Sequence, residues 1–258
     1  MSGRTQEQLV VGQFGIQAGA YLTSLVHAQG EDLIAIAELV RARVAAGQGA
    51  RVLDLGCGGG HVAYAAAAAG GSVVAYDLSH EMLAVVAGEA QRRGLAITTQ
   101  QGAAERLAFA DAEFDIVLSR YSAHHWTDFA AGIREAARVL RPDGVAAFHD
   151  LVSPGRADLD TFLNAIELLR DTSHMRNRSV AEWLEAAAVS GLRVGGMTPY
   201  RLRLEFAAWI ARINTPEPLA RAIRLLEQAA SAAVSRHFEL GVDGSFTVDT
   251  ALLRFTKG

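Results

Sequence analysis

The densest group of chemically capable residues is the run Val52-Leu53-Asp54-Leu55-Gly56-Cys57-Gly58-Gly59-Gly60. An acid closes an apolar stretch, and glycines follow it. Glycines there permit positive φ and let the backbone come close to a ligand. Asp77 closes the next apolar stretch, roughly 20 residues further on, the spacing at which an acid takes both hydroxyls of a ribose. A nucleotide at the carboxyl ends of two parallel strands, beside a helix N-terminus, is the chemistry this pattern serves. Two nucleotides compete. Gly58 to Ala63 can be forced into G-x-G-x-x-A, the dinucleotide fingerprint. Asp54 opposes that, because a carboxylate repels a pyrophosphate. It suits a nucleotide with a cationic amino acid tail, as in S-adenosyl-L-methionine. A glycine turn with no ligand is the bland alternative.

A second group follows two later apolar runs: Tyr121, His124, His125 and Trp126, then His149 and Asp150. Three of the eight histidines fall in these two places. Methyl transfer from a sulfonium is an in-line displacement that needs alignment and dehydration, with a base only where the nucleophile must lose a proton. His124, His125, His149 and Asp150 are the candidates for that work. Each has a plainer role open to it: the histidines as helix caps or packing partners of Trp126, His149 with Asp150 as a hydrogen-bonded pair without chemistry. The spacing of His124, His149 and Asp150 is not diagnostic of a metal, and none is assigned. Arg120 is odd at the end of an apolar strand; it fits a salt bridge, a cofactor carboxylate or an acidic substrate. The polar run 171–178 reads as a solvated loop before an anion site, and Trp183 and Trp209 as core before stacking platforms.

Short apolar runs at 51–55, 72–76, 95–100, 114–119 and 144–149 must position these groups as strands. Helical stretches at 59–69, 79–93 and 128–140 separate them, with Ser79 as an N-cap and Arg141-Pro142-Asp143-Gly144 as a stop. The alternation predicts a parallel sheet with helices on both faces. Residues 157–170 and 179–189 read as amphipathic helices and 192–204 and 245–256 as strands. Between those strands, 206–238 reads as helix broken by Pro216 and Pro218.

With these motifs placed, residues 52–150 resemble the class I S-adenosylmethionine-dependent methyltransferases. The nearest likeness is to the branch related to ubiquinone/menaquinone biosynthesis C-methyltransferases, including its uncharacterised bacterial members. The likeness rests on Asp54 to Gly60, on Tyr76-Asp77-Leu78-Ser79 with Met82, and on 101–120 and 136–150. It implies a Rossmann-like α/β fold, doubly wound, with a mostly parallel seven-stranded sheet. It implies that Asp54, Gly56 and Gly58, with Cys57 between them, hold the methionine part of the cofactor. Asp77 would take the ribose, and Leu78 and Met82 would pack the adenine beside Ala104 and Glu105. Ser119 and Arg120 would lead toward the sulfonium. Tyr21, as a catalytic candidate, and His27, beside the cofactor, belong to an N-terminal helical cover. One position departs from the family: Ala103 stands where an acid often receives the adenine amino group.

Composition narrows the rest. The chain has 258 residues, 50% hydrophobic, enough for a packed core; one domain is expected, with cover 1–46, core 47–190 and C-terminal part 191–258 carrying a helical insertion at 206–238. A net charge of −4 argues against nucleic acid as a partner. One cysteine allows no internal disulfide, and neither a secretory signal nor an apolar run of membrane length is visible, so no membrane partner and a cytoplasmic location are expected. The expected activity is S-adenosylmethionine-dependent methyl transfer to a small-molecule substrate. Cleavage or rearrangement of the cofactor, a non-catalytic binding role and a homodimer stay open.

Overall fold

A computed structural model describes residues 3–15, 30–48 and 50–258. Its helices and strands run in chain order as follows. Helices α1 (Gln6–Gly15) and α2 (Glu31–Ala45) precede β1 (Arg51–Leu55), α3 (His61–Ala68), β2 (Ser72–Asp77), α4 (His80–Arg93) and β3 (Ile97–Gln101). Then come β4 (Phe114–Arg120), α5 (Phe129–Val139), β5 (Leu140–Leu151), α6 (Ala157–Arg170) and α7 (Val180–Val189). The chain ends with β6 (Leu192–Leu204), α8 (Phe206–Ala211), α9 (Glu217–Gln228), α10 (Ala232–His237) and β7 (Phe246–Lys257).

The strands form one seven-stranded sheet in the order β3-β2-β1-β4-β5-β7-β6, with β7 antiparallel to both neighbours and the other adjacent pairs parallel. Successive strand residues face opposite sides, so each strand feeds two cores. Leu53, Leu55, Val117 and Phe148 pack on one face with Trp126, Ile133 and Trp183. Val52, Ile116 and Leu118 pack on the other with Ile36, Val40, Val62 and Val86. A third cluster, built on Leu163, Trp209, Phe238 and Phe246, gathers α6 and the helices between β6 and β7 at the far end of the sheet.

Local chemistry sets the boundaries. Ser79 caps α4 by accepting from the Met82 amide, as its position predicts, and Ser179 forms a capping box with Glu182. Three boundaries differ from expectation. The Arg141-Pro142-Asp143-Gly144 turn lies inside β5, because Leu140 already pairs with Phe114 before the ladder resumes at Val145 and Ile116. Strand β3 begins two residues late, since the Leu95 amide still bonds the Ala90 carbonyl at the end of α4. Pro218 does not break a helix; it sits in the first turn of α9, where a missing amide hydrogen is tolerated.

One buried network fastens α2 to the sheet. Asp32, in the first turn of α2, forms an ion pair with Arg120 on β4 and accepts from Nδ1 of His149 on β5 at 2.7 Å. Nε2 of His149 shares a 3.0 Å hydrogen bond with Thr250 of β7. Arg120 and His149 are register partners on adjacent strands, so one carboxylate reaches both. Burial alone would raise the Asp32 pKa; the bonds from His149 and Arg120 outweigh it and hold the carboxyl well below its usual range. Asp32→Ala removes the buried carboxylate that both Arg120 and His149 meet, and we expect a loss of ~3–5 kcal/mol in urea denaturation. A loss under about 1 kcal/mol would show that Arg120 relaxes into solvent instead.

Candidate functional site

The chain runs β1 to β2 to β3 outward in one direction, then returns to lay β4 on the other side of β1. The β1/β4 junction is thus a topological switch point, where the carboxyl ends of an open sheet leave a crevice. A cavity of ≈ 1540 Å³, counting its open mouth, lies there. The turn after β1, the end of β2, residues 102–105 and residues 120–127 form its walls, with Gln6 and Val10 of α1 over it.

Strand β1 delivers Asp54 to this cavity. The residue is 1% exposed, and neither carboxylate oxygen has a hydrogen-bond partner. Burial pushes its pKa up to about 7, with the Asp77 charge adding; the Ala63 amide and Arg120 oppose this only at longer range. A buried carboxylate without donors needs a cation or a proton. Gly56 follows at φ 70°, its amide bonded to the Tyr76 carbonyl at 2.8 Å; a Cβ there would sit 1.8 Å from Ser122 Oγ. Gly58, at φ 48°, would put a Cβ within 4 Å of nothing, and its amide donates to Asp77 Oδ2 at 2.8 Å.

Asp77 closes β2. Its Oδ1 accepts from the Ser79 amide at 2.9 Å, and each oxygen keeps a second lone pair for a ligand hydroxyl. Burial raises its pKa, against the amides of Ser79, Gly58 and Leu78. Leu78, Met82 and Ala104 form an apolar slot beside it. Glu105 lines the cavity too, but its carboxylate is engaged by the Thr127 amide at 2.7 Å. Cys57 lies among these residues, and burial first of all pushes its thiol well above the usual range, so it stays protonated. This donor set fits a nucleoside with an ammonium tail: an orphaned anion for the amine, a carboxylate for the ribose and an apolar slot for the base. It fits a pyrophosphate poorly, because two acids flank the glycine turn.

At the other end of the cavity, His124 Nδ1 donates to Asp150 Oδ1 at 2.6 Å. Burial would lower the His124 pKa, but the Asp150 charge and hydrogen bond raise it above 6.5. His125 is pushed down to about 4 by burial and then by His124; its Nδ1 donates to the Ser173 carbonyl at 3.1 Å. That carbonyl also accepts from Gln6 Nε2 at 2.5 Å, which ties α1 to the same wall.

Sequence order explains which expected residues meet here and which do not. Arg120, His124 and His125 line the cavity, and Asp150 holds His124 from behind. Ser119 and His149 do not line it. Register sets His149 beside Arg120 on one face of the sheet, and both side chains meet Asp32 there. Ser119 Oγ is buried without a partner, and the His149 ring bonds Asp32 and Thr250. Tyr21 and His27 lie outside the described residues. The 171–178 run is not a solvated loop: Asp171, Ser173, His174 and Asn177 are buried. The amides of Met175 and Arg176 donate to the His124 carbonyl, so the segment supports the histidines from below. Trp183 is core, as expected, whereas Trp209 is both core and cavity wall. Glu167, Arg170, Leu204 and Arg212 also line the cavity. They lie on amphipathic helices and an edge strand that carry no motif, so no spacing could single them out.

Comparison with known proteins agrees with this geometry. A model of the methyltransferase domain matches residues 53–148. The uncharacterized protein YafE of Escherichia coli is 50% identical over 183 residues, covering 70% of this chain and 88% of that protein. The uncharacterized methyltransferase YcgJ of Bacillus subtilis is 36% identical over 204 residues, 79% of each. The crystal structure of YcgJ superposes with a TM-score of 0.83 over 88% of this chain and 98% of that chain. The malonyl-[acyl-carrier protein] O-methyltransferase of Enterobacter lignolyticus is 32% identical, covering 78% of this chain and 76% of that protein.

The state of Asp54 gives a measurable consequence. With its pKa near 7, the carboxyl is largely protonated below that pH and must ionise to meet an ammonium. Affinity for S-adenosylhomocysteine should therefore rise with pH through about 7 and level off above it, with proton release in calorimetry on the acid side. Asp54→Asn should flatten that dependence and weaken binding. A wild-type affinity that ignores pH across this window would refute the pairing.

Proposed function

This chain belongs to the S-adenosylmethionine-dependent methyltransferases, and we propose that it methylates a small, hydroxyl-bearing acceptor, with His124 receiving the proton. The observation that carries this is the sharing of one cavity by the orphaned Asp54 carboxylate and the His124–Asp150 pair. Asp54, Gly56, Cys57 and Gly58 would hold the amino acid end of the cofactor, and Asp77 its ribose. Leu78, Met82 and Ala104 would flank the base. S-adenosylmethionine supplies a methyl group on a cationic sulfur, ready for in-line displacement.

The chain's own residues do the rest. Asp150 fixes the His124 tautomer by accepting a hydrogen bond from Nδ1–H, which leaves Nε2 to accept a proton from the acceptor hydroxyl. His125 is anchored through Nδ1 and kept neutral, so it adds no positive charge beside the cationic sulfonium. Asp32 orients Arg120 at the cofactor end, and His149 acts there through Asp32 without touching a ligand. Gln6 and Val10 of α1, with Trp209 and Leu204, cover the reacting groups and keep water out. A relative named an O-methyltransferase supports oxygen as the atom methylated. The cavity, walled on the sheet side and covered by α1, suits a metabolite better than a macromolecule. The net charge of −4 speaks against a duplex partner. A single cysteine favours the cytoplasm, and among the described residues no helix is long and apolar enough to cross a membrane.

His124→Gln should lower kcat by about 10²–10⁴-fold on a hydroxylated acceptor found by metabolite screening, while S-adenosylhomocysteine binds as before. The base must be deprotonated and its pKa is raised, so kcat/KM should climb with pH above 6.5 and then level. Asp150→Asn removes the cause of the rise and should shift that limb toward acid. An unchanged limb in Asp150→Asn, or full activity in His124→Gln, would rule His124 out as the base.

A further inference from the structure

The cavity extends past His124 into a compartment built by the C-terminal part of the chain. Its walls carry apolar Leu151, Leu202, Leu204 and Trp209 together with three charged residues, Glu167, Arg170 and Arg212. Arg170, in the last turn of α6, lines the cavity with a side chain only 12% exposed. Its Nε donates to the Trp209 carbonyl at 3.1 Å, and its guanidinium carbon lies 5.0 Å from the centroid of the Trp209 ring. The helix end beneath it is fixed as well, since Thr215 Oγ1 donates to the Arg170 carbonyl at 3.1 Å.

Those contacts use only one edge of the guanidinium. Among the described residues, Nη1 and Nη2 make no hydrogen bond; the nearest acid is Glu167, whose Oε2 is 3.8 Å from Nη1. Glu167 is itself 5% exposed, and burial pushes its pKa up, against the charges of Arg170 and His124. At 3.8 Å Glu167 pairs with Arg170 through space, without a hydrogen bond to Nη1 or Nη2. Arg212 adds a second cation to the same wall. Glu7 also borders the cavity, but it is exposed and its charge is screened by water. A guanidinium held in place, with two terminal nitrogens that make no hydrogen bond, matches a planar anion with two oxygens.

We infer that the acceptor carries a carboxylate held by the free edge of Arg170, with its apolar body against Trp209, Leu202 and Leu204. This rests on the small-molecule methyltransferase proposed above and names the class of molecule that site selects. Arg170 is then the residue that determines specificity, at the opposite end of the acceptor from the hydroxyl that faces His124. The segment that supplies it is the part of the chain without family motifs, which is where discrimination between acceptors belongs.

A matched pair of probes tests the inference without knowing the natural acceptor. 3-Phenylpropanoate and its neutral amide, 3-phenylpropanamide, differ only in the group that would face Arg170. Each is titrated by calorimetry into the protein saturated with S-adenosylhomocysteine. The acid should bind at least about tenfold more tightly than the amide, and Arg170→Gln should erase that preference while affinity for S-adenosylhomocysteine stays unchanged. Equal binding of the two probes by the wild type, or binding of neither at millimolar concentration, overturns the inference. So does a preference that survives in folded Arg170→Gln. The wild-type comparison stands alone if that variant fails to fold. S-adenosylhomocysteine binding is read in the same experiment: its failure would overturn the underlying function, whereas equal probes with intact cofactor binding overturn the carboxylate alone.

Discussion

Asp54 is held at the end of a central strand, shielded from water, with no donor to either oxygen. Leaving a carboxylate so placed is unfavourable by several kcal/mol unless a proton or a cation accompanies it. Much of the surrounding structure follows from keeping that site available. Asp77 cannot help, because it is also an acid. It turns its oxygens to the Gly58 and Ser79 amides, which draws the glycine turn and the start of α4 around the same opening. Arg120, the nearest cation on the sheet, is committed to Asp32. The orphaned charge is left for a ligand, and a nucleoside with an ammonium tail is the chemistry that satisfies it.

The second half of the site has a different logic. His124 lies in the short turn that follows β4 and Asp150 near the end of the adjacent β5, and their hydrogen bond closes one wall. The segment after α6 packs beneath them through buried Asp171, Ser173 and Asn177. Helices between β6 and β7 complete the far wall with Trp209 and Arg212. In the proposed arrangement the parallel strands present the cofactor, while the end of β6 with α6 and α8 encloses what receives the methyl group. Helix α1 joins the halves, since Gln6 bonds the Ser173 carbonyl that also holds His125, and Gln13 bonds the Ile213 carbonyl at 2.8 Å.

The cofactor end was legible in the sequence because its signals are local. An acid, glycines and a second acid occupy fixed places in one strand–turn–helix–strand unit, and Ser79 marks the next helix by its own capping chemistry. All seven strands could be placed to within a few residues for the same reason. What period-2 alternation would do at the strand ends could not be read without knowing which face held the cavity. His149 and Asp150 looked equivalent, yet only Asp150 turns toward His124. Residues 171–178 looked solvated because their types favour loops; their burial depends on packing against His124 and His125, which are distant in sequence. Arg170 and Glu167 carried no signal, since a helix face gives the same pattern whether it meets core or cavity.

In the proposed site Asp54 receives the ammonium of S-adenosylmethionine and Asp77 its ribose. A crystal structure with S-adenosylhomocysteine tests it most directly. The ligand's ammonium should lie within about 3 Å of an Asp54 oxygen and both ribose hydroxyls on Asp77, with the sulfur facing the compartment that holds His124. A ligand whose ammonium lies away from Asp54, or whose sulfur faces away from His124, would contradict it.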